Sequence, residues 1–388
     1  LWHGAARRAL DDAPTVSAPF SETGYLDPAR PEAVAYRFPA REGQRLVFEL
    51  RLEPSTNALV FLDLFRAAPD DGALVRVASA DSGATRLGYE PDRDADYVIR
   101  IQPELLRGGR YVLTATAAPT MSFPVEGGAL DDVGSFFGDA RDGGRRDHHG
   151  IDIFAPRGTP VVAAVEGRVS RVRTTPIGGR VVWLRDARRR QSIYYAHLDE
   201  QLVASGTRVR PGDTLGLVGN SGNARTTPPH LHFGIYRRGR GPLDPLPFVE
   251  PLPSAPPAPY PAEPGRWRRV IGEDVRLRAA PDSAAAEVGR LDREVPLRVD
   301  AIAGDWLRVA VPDGRRGFLA GRLTEPVRPI RSAFPDSVVP LRDGPQPDAV
   351  EVARVGPGTR IDVLGRLGDH LYVRAGDRDA WLSGGATR

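Results

Sequence analysis

Histidine and aspartate side chains recur in three short segments in the middle of the chain. Five of the seven histidines lie between Phe123 and Phe248. The three segments are His148-His149-Gly150-Ile151-Asp152, Tyr194-Tyr195-Ala196-His197-Leu198 and Pro228-Pro229-His230-Leu231-His232-Phe233. Imidazole nitrogens and carboxylate oxygens bind divalent transition metals, and imidazole also exchanges protons near neutral pH. These segments are therefore the candidates for a metal-dependent reaction centre.

The spacing within the segments predicts that the side chains converge if the segments are strands. Alternate residues of a strand share one face, so His148 would lie on the face of Asp152, and His230 on the face of His232. Because alternate residues are about 6.6 Å apart, both can bind one ion, or one can bind while the other contacts the water on that ion. Two imidazoles and one carboxylate suit Zn²⁺ and leave the fourth tetrahedral position for water. Zinc would lower the pKa of that water to about 7 and polarise a carbonyl, and the remaining histidines could serve as base and donor.

The histidines outside these pairs are interpreted differently. A lone histidine is usually a packed or solvated side chain, and this is the interpretation for His3 and His370. His149 directly follows a candidate ligand and would point to the opposite face of the same strand. We therefore leave it out of the predicted site.

Taken in order, the patterns His148-x-x-x-Asp152, Tyr195-x-His197 and His230-x-His232 resemble those of the lysostaphin/LytM-type zinc metallopeptidases. The flanking sequence is similar to that family as well, in the segments Ser135–Arg141, Gly158–Ala164, Val209–Gly216 and Gly219–Asn223. Two positions depart from the family pattern, Pro229 where glycine is usual and Gly234 where an acidic residue is frequent. Neither of them is a ligand position.

The resemblance implies a role for each of the paired residues. His148, Asp152 and His232 would be the zinc ligands. His197 and His230 would be the catalytic pair that does not bind the metal. One division makes His230 the base toward zinc-bound water and His197 a donor to the oxyanion or the leaving amine, and the sequence leaves this division open.

The composition excludes several other kinds of chemistry. The chain has 388 residues, of which 41% are hydrophobic and 27% charged, as is typical of globular domains. It contains no cysteine, which excludes disulfides, Cys-based zinc fingers, iron–sulfur clusters and a cysteine nucleophile. All 53 basic residues are arginine, so no lysine can form a Schiff base or carry a biotinyl or lipoyl group. The net charge of +3 gives no strong case for nucleic acid as a partner, and no apolar run reaches the ~20 residues of a transmembrane segment.

Turn residues and hydrophobic alternation define the predicted units before the histidine segments. Residues 1–32 show no clear period, and we predict an N-terminal arm that is mostly extended. Residues 33–120 contain short alternating strands, for example Leu46–Leu52 and Tyr111–Thr116. Such strands, separated by turn residues, predict a β-sandwich accessory domain.

The histidine segments fall in residues 121–250, which are predicted to form a zinc metallopeptidase domain built on an antiparallel sheet. Residues 251–264 are so rich in proline that they predict a semi-extended linker. Within the peptidase domain, Arg188-Arg189-Arg190 is interpreted as a solvated hairpin turn between two strands. Contact of these arginines with an anionic envelope polymer is the less favoured alternative.

The last part of the chain is an internal repeat, with copies at residues 265–326 and 327–388. Hydrophobic positions recur at a constant offset of 64 residues, in the pairs Leu277 and Leu341, Val299 and Val363, Leu307 and Leu371, and Val309 and Val373. Each copy predicts a small β-barrel, and the first copy resembles bacterial SH3-like domains through Gly304–Leu307 and Gly317–Leu319. The second copy has His370 where the first has Trp306, so a shared ligand site there is not expected.

Together these features predict a mainly β protein that consists of an N-terminal β-sandwich, a LytM-type catalytic domain and two SH3-like barrels. The leading hypothesis is a zinc-dependent endopeptidase that hydrolyses peptide cross-links of bacterial peptidoglycan, with zinc-bound water as nucleophile. Its partners would be stem and cross-bridge peptides, and the SH3-like domains would assist wall binding. Its location would be extracytoplasmic, in the periplasm, in the cell envelope or secreted.

Two alternatives to this function stay open. The protein could be a non-catalytic, wall-binding regulator of other hydrolases, because some proteins of this fold have lost their zinc ligands. It could also be a secreted peptidase that acts on Gly-rich proteins. A further hypothesis is that the N-terminal domain occludes the catalytic groove within the same chain.

Overall fold

The computed structural model describes residues 1–53, 59–141 and 143–386. Residues 54–58 of the predicted sandwich, residue 142 of the predicted peptidase domain and the last two residues of the predicted second repeat lie outside the described residues. Strands dominate the regular secondary structure, so the predicted mainly β fold class is confirmed. Within the described ranges, no helix combines the length and the apolar character needed to cross a membrane.

The N-terminal unit consists of one helix and two antiparallel sheets packed face to face. Helix α1 is Trp2–Asp11, and strands β1 to β8 are, in chain order, Phe20–Leu26, Val34–Ala40, Gln44–Glu53, Val60–Ala67, Leu74–Ser79, Arg86–Tyr89, Ala95–Pro103 and Gly109–Pro119. One sheet has the order β1-β8-β3-β6 and the other β2-β7-β4-β5. Alternate residues of β3, namely Leu46, Phe48 and Leu50, are buried in the core between them.

The expectation of a mostly extended arm is wrong for residues 1–32. Trp2–Asp11 is helical, because it is rich in alanine, arginine and leucine, which favour a helix. Its Ala5 and Ala6 are buried, and the Trp2 indole Nε1 donates a hydrogen bond to the Pro103 carbonyl at 2.9 Å. Further along, Phe20–Leu26 pairs with β8 along its full length and belongs to the sandwich.

The middle of the chain folds around one large antiparallel sheet. Strands β9 to β21 are Val133–Ser135, Ala140–Arg141, Arg146–Asp147, Ile151–Phe154, Pro160–Val162, Gly167–Thr175, Gly179–Asp186, Gln191–Leu198, Glu200–Gln201, Arg208–Val209, Thr214–Leu217, His230–Arg237 and Gly241–Leu243, and helix α2 is Leu246–Val249. The large sheet has the order β18-β14-β15-β16-β20-β12-β9, with β21 paired to β20, and a smaller sheet has the order β13-β19-β17. One face of the large sheet packs on an apolar core that includes Leu184, Tyr195 and Phe233. The opposite face is free to carry a site.

The C-terminal repeat seen in the sequence is also a repeat of structure. Strands β22 to β34 are Trp267–Val270, Val275–Arg278, Glu287–Leu291, Pro296–Ala303, Trp306–Ala310, Arg316–Ala320, Thr324–Pro326, Arg331–Ala333, Val339–Arg342, Glu351–Val355, Ile361–Leu367, His370–Ala375 and Arg378–Ser383. The order β24-β23-β27-β26-β25 in the first copy recurs as β31-β30-β34-β33-β32 in the second. The two copies thus share one topology.

The sandwich and the first repeat are joined by a continuous sheet, because β1 also pairs with β25. At this junction the fully buried Glu22 accepts hydrogen bonds from the hydroxyls of Tyr36 and Tyr111. Burial raises the pKa of both tyrosines well above its usual value, so they remain protonated donors. Arg308 of the first repeat lies 3.4 Å from the Glu22 carboxylate and completes an ion pair across the junction, in which Glu22 is fully buried and the arginine side chain is 21% exposed.

Replacing Glu22 with glutamine is expected to destabilise this junction by about 3 kcal/mol. The substitution leaves the Arg308 guanidinium without its buried counter-charge, and an unpaired buried charge costs several kcal/mol. Urea unfolding of the full chain measures the change. The matched control is Glu49→Gln, because Glu49 forms an exposed ion pair with Arg86 whose loss should cost less than about 1 kcal/mol. Equal losses in the two variants would contradict a buried ion pair at the junction.

Ion pairs also join the sandwich to the peptidase unit. Glu42 pairs with Arg237 and Arg240, and Glu90 pairs with Arg188 and Arg189. These arginines lie in or beside the hairpin turns that connect β15 to β16 and β20 to β21. The predicted hairpin at Arg188-Arg189-Arg190 is therefore present, but its first two arginines hold the sandwich and are not simply solvated.

The Pro-rich linker lies against the first repeat. The Tyr260 amide donates to the Gly304 carbonyl at 2.8 Å, and the Arg268 guanidinium lies over the Tyr260 ring, 5.5 Å from its centroid. Residues 251–264 have no helix or strand, as a proline-rich segment predicts. The segment is thus fixed to one domain at its C-terminal end.

Candidate metal centre

Two of the predicted ligands lie side by side on neighbouring strands of the large sheet. Asp152 of β12 is directly opposite His232 of β20 in the antiparallel register. His148 is not on a strand, contrary to the expectation from spacing, because β12 begins only at Ile151. Its backbone is held instead by hydrogen bonds with residues 138 and 139, at 2.9 and 2.8 Å.

Gly150 allows the chain to bring His148 next to the two strand residues. A Cβ atom at Gly150 would lie 2.8 Å from Cε1 of the His232 ring and 2.4 Å from the Phe233 carbonyl oxygen. Both approaches are closer than real side chains show, so only glycine fits between the His148 segment and β20. This close approach explains the glycine in the first histidine segment.

The three predicted ligands converge on one point. His148 Nε2 lies 3.0 Å from Asp152 Oδ1 and 2.9 Å from His232 Nδ1. The third separation, His232 Nδ1 to Asp152 Oδ1, is 2.9 Å. Three ligands of a tetrahedral zinc ion with bonds of 2.0–2.1 Å lie roughly 3.3 Å apart. The three atoms are therefore spaced nearly as that ion requires.

Hydrogen bonds and burial indicate which atoms of the three predicted ligands could bind a metal ion. His148 Nδ1 is 2.8 Å from the Phe136 carbonyl, which can only accept, so Nδ1 is a donor and Nε2 is the nitrogen through which His148 could bind a metal ion. Burial lowers the pKa of His232, which favours its neutral form, although Asp152 opposes this effect. Burial would raise the pKa of Asp152, but hydrogen bonds and charge from His148 and His232 outweigh burial and hold that pKa well below its usual value. One nitrogen of each imidazole and one carboxylate oxygen thus face one point, and this donor set fits a divalent cation such as zinc.

Arg141 holds the second oxygen of the predicted carboxylate ligand. Its Nη2 lies 2.8 Å from Asp152 Oδ2 and also donates to the Ser135 hydroxyl. Since Oδ2 is occupied by this bond, Oδ1 is the oxygen left to face the two imidazoles. Sequence reasoning did not assign Arg141 to the site, although it lies within the flanking segment whose similarity was noted.

The two other predicted site histidines lie beside the three ligands. The His197 and His230 ring centroids are 5.0 Å apart, and the His197 and His232 centroids are 5.9 Å apart. Nδ1 of His197 faces the Ser221 carbonyl and Nδ1 of His230 faces the Pro228 carbonyl, both at 2.9 Å. Because a carbonyl only accepts, both Nδ1 atoms are donors, and Nε2 is the nitrogen of each ring that is left for proton exchange.

His197 adopts an unusual backbone conformation. Its φ of 62° lies in the left-handed region, which non-glycine residues rarely enter. The pairing of β15 with β16 is irregular close to this residue, because the register shifts after Leu198 pairs with Arg180. Burial lowers the pKa of His197 to about 4, although the Ser221 carbonyl opposes this, so its imidazole is neutral at pH 7. Strain and a lowered pKa at one residue are typical of a functional position.

A second glycine is needed where the segment that orients His197 packs on its neighbour. Gly222 has a φ of 74°, and a Cβ there would lie 2.3 Å from the backbone of Gly179 and of Ile177. The two loops therefore meet backbone to backbone, which places the Ser221 carbonyl at the His197 ring. Gly222, in the flanking segment Gly219–Asn223, serves this packing.

Aromatic side chains adjoin the site on the same face of the sheet. The Tyr194 ring is 5.7 Å from the His232 ring, and the Trp183 ring is 4.4 Å from that of Tyr194. Burial raises the pKa of Tyr194, so its hydroxyl stays protonated at neutral pH. Sequence reasoning assigned neither aromatic residue to the site, although Tyr194 lies two residues before Ala196, which is opposite His232.

Two family models match the chain. Residues 146–245 match Peptidase family M23, and residues 272–326 match Bacterial SH3 domain. The first match contains all five predicted site residues, which are four histidines and one aspartate. The second match lies within the first copy of the repeat. The resemblances drawn from the sequence are thereby confirmed for these two parts of the chain.

Curated relatives are similar over the same region. An L-Ala–D-Glu endopeptidase of Bacillus subtilis is 40% identical over 126 residues, which are 30% of this chain and 38% of that protein. The peptidoglycan DD-endopeptidase ShyC of Vibrio cholerae is 38% identical over 98 residues, 24% of this chain and 22% of that protein. The chain thus spans well under half of the length of these relatives.

Solved structures are similar to the chain over about a third of its length. The catalytic domain of lysostaphin from Staphylococcus simulans is 30% identical, with 31% of this chain and 93% of that chain covered and a TM-score of 0.28. A zinc-containing peptidase from Vibrio cholerae is also 30% identical, with 35% of this chain and 41% of that chain covered and a TM-score of 0.30.

Proposed function

Because residues 146–245 carry a peptidase family M23 domain, we propose that this protein is a zinc-dependent endopeptidase that hydrolyses peptide cross-links of bacterial peptidoglycan. The observation that carries the proposal is the convergence of His148, Asp152 and His232 within 3.0 Å of one another, with two further imidazoles beside them. The substrate class comes from the relatives, which are named as peptidoglycan and L-Ala–D-Glu endopeptidases.

The residues of the chain have distinct parts in this proposal. His148 through Nε2, His232 through Nδ1 and Asp152 through Oδ1 would hold the ion. A bound zinc ion supplies Lewis acidity, which polarises a peptide carbonyl and makes water a better nucleophile near neutral pH. Arg141 keeps Asp152 oriented by its bond to Oδ2. These roles account for each polar contact around the three ligands that is described above.

The second pair of histidines would move the proton. Nε2 of His197 or His230 takes a proton from the attacking water, and an imidazolium then returns a proton to the leaving amine. The proposed division makes His230 the base, and its imidazolium returns the same proton to the leaving amine. His197 can act as donor to the oxyanion or the amine only when its Nε2 has itself taken a proton, because the proton of the neutral ring is on Nδ1, which faces Ser221. Their Nδ1 bonds to the Ser221 and Pro228 carbonyls support this proposal, because they hold both rings with Nε2 free.

The other parts of the chain belong to the same proposal. Residues 33–120 would be an accessory sandwich, residues 121–250 the catalytic domain, and the copies at 265–326 and 327–388 would hold the enzyme at its insoluble substrate. A wall substrate implies an extracytoplasmic location. Occlusion of the groove by the N-terminal domain stays a prediction. The ion pairs between the sandwich and the peptidase unit lie at hairpin turns, at the end of the sheet away from His197 and His230, and so do not themselves cover these residues.

Mass spectrometry of the products released from purified sacculi tests the proposed function. We expect the wild-type chain to release wall fragments that are cut at one type of peptide bond. After its zinc has been removed with a chelator, the chain should release none. The masses identify the bond, whether within the cross-link or between L-Ala and D-Glu. Binding to sacculi without any release would favour the non-catalytic regulator. Cleavage of a Gly-rich protein but not of sacculi would favour the secreted peptidase.

A further inference from the structure

The open face of the large sheet continues beyond the metal centre. Tyr194 and Trp183 lie on this face, and Tyr236 lies 5.3 Å from the Trp183 ring, so three aromatic rings extend from His232. The residues that alternate with them, such as Tyr195 and Leu184, are in the apolar core. The aromatic residues therefore belong to the face that carries the catalytic groups.

Three arginines stand side by side further along that face. Arg185 lies two residues beyond Trp183 on β15 and is opposite Arg168 of β14. Arg168 is in turn opposite Arg208 of β18. All three are exposed. We call Arg168, Arg185 and Arg208 the arginine ladder.

The ladder is unfavourable for folding as it stands. Like charges directly opposite each other on neighbouring strands repel and destabilise a sheet. Arg168 donates from Nε to the Gly206 carbonyl at 3.0 Å, which fixes its position but supplies no negative charge. Within residues 1–53, 59–141 and 143–386, the side chains of Arg185 and Arg208 have no hydrogen bond or ion pair. By contrast, the nearby Arg189 is paired with Glu90 and Asp186.

The ladder lines a cleft between the edge of the sheet and the segment that enters the peptidase unit from the sandwich. The cleft has a volume of about 1570 Å³. Six arginines line it, against three carboxylates, and two of the six, Arg188 and Arg189, are paired with Glu90 outside the lining. Two of those carboxylates are already engaged, since Asp186 pairs with Arg189 and Asp213 accepts from the Arg210 amide. The cleft therefore has an excess of positive charge that other groups on its walls do not balance.

The position of the ladder relates it to the metal centre. Strand β16 lies between the strands of Arg185 and His232. On β16, Ser192 is opposite Arg185 and Ala196 is opposite His232, so the two positions are four residues apart along the strand. At about 3.3 Å per residue and about 4.8 Å per strand, the ladder begins roughly 16 Å from the metal centre. An extended peptide of about five residues spans that distance.

We propose that the arginine ladder binds the free carboxylates of an acidic peptide stem of the wall polymer while the cross-link of that stem lies at the metal centre. The inference rests on the proposed function for the identity of the polymer. Stem peptides carry free carboxylates, and the guanidinium fork matches a carboxylate through two parallel hydrogen bonds. An acidic stem supplies the negative charge that the ladder lacks, and the aromatic residues pack against the part of the peptide in between.

The test compares the full chain with R168Q/R185Q/R208Q in a pelleting assay against purified sacculi. The matched control is R107Q/R238Q/R322Q, which removes the same charge at three exposed arginines outside the cleft. At low salt we expect the ladder variant to bind about tenfold more weakly than the control variant. Its melting temperature should not fall, because the substitutions relieve repulsion.

Two treatments of the sacculi identify the ligand. Amidation of their carboxylates should weaken wild-type binding to the level of the ladder variant, whereas removal of phosphate-bearing polymers with hydrofluoric acid should leave binding unchanged. Equal binding by the two triple variants would overturn the inference. Binding that is lost when the phosphate-bearing polymers are removed, but kept when the carboxylates are amidated, would overturn it as well. Pelleting requires no turnover, so a chain that binds through the ladder but releases no fragments would overturn the proposed function and leave carboxylate binding in place.

Discussion

Replacing His232 with alanine is expected to lower zinc affinity by at least about 100-fold and to reduce turnover by about a thousandfold or more. Among the residues that the structure describes, His232 supplies one of three side-chain atoms that converge at the centre. Loss of a partner that merely orients a ligand already costs 10–100-fold in metal affinity, so loss of a ligand should cost no less. Loss of Lewis acid assistance removes several kcal/mol of transition-state stabilisation, and each ~1.4 kcal/mol is a factor of ten in rate.

Competition with a chromophoric chelator measures the zinc affinity of this variant, and product release from sacculi measures its turnover. The matched control is His149→Ala, because His149 is exposed and adjacent to His148 but outside the group of converging atoms. The control should bind zinc and turn over like the wild type. Circular dichroism of both variants establishes that they are folded. If His232→Ala kept wild-type zinc affinity, the ligand set would be wrong.

Replacing His197 is expected to separate metal binding from catalysis. His197 lies beside the ligands without being one of the converging atoms, so the variant should keep its zinc. Turnover should fall by about 10²–10⁴-fold, the usual contribution of a positioned acid or base. Because burial lowers its pKa to about 4, its imidazole is neutral from pH 5 to 8.

The backbone of His197 decides which replacement is informative. Alanine at a φ of 62° is strained, whereas asparagine tolerates the left-handed region. His197→Ala and His197→Asn should therefore show the same loss of kcat, while His197→Asn retains more stability. His370→Ala in the second repeat is the control and should leave kcat unchanged. Wild-type turnover in His197→Asn would remove this residue from the mechanism.

The repeats and the strands predicted at Leu46–Leu52 and Tyr111–Thr116 could be recognised because their signals are local. The offset of 64 residues survives in the structure as two copies of one strand order, since each copy repeats the same alternation of buried and exposed side chains. The pair His230 and His232 also follows from period 2, because both lie on β20. Where a segment forms a regular strand, spacing alone places its side chains.

The remaining features depend on contacts between residues distant in sequence. His148 reaches the site by a turn that only its packing on β20 explains, and not by sharing a strand with Asp152. The pairing of β1 with β25 joins two domains that no hydrophobic pattern connects. The ladder of arginines appears only when the registers of three strands are known, because an exposed arginine in one strand carries no sign of its neighbours. Hydrophobic periodicity predicts which side chains share a face of one strand. The register between strands, which depends on tertiary contacts, decides which of these side chains become neighbours.

The most direct test of the metal centre is a crystal structure of the zinc-loaded chain with anomalous data collected on both sides of the zinc absorption edge. We expect one anomalous peak within about 2.0–2.2 Å of His148 Nε2, Asp152 Oδ1 and His232 Nδ1, with His197 and His230 beyond bonding distance. A peak elsewhere, or those three side chains turned away from one another in zinc-loaded crystals, would contradict the account.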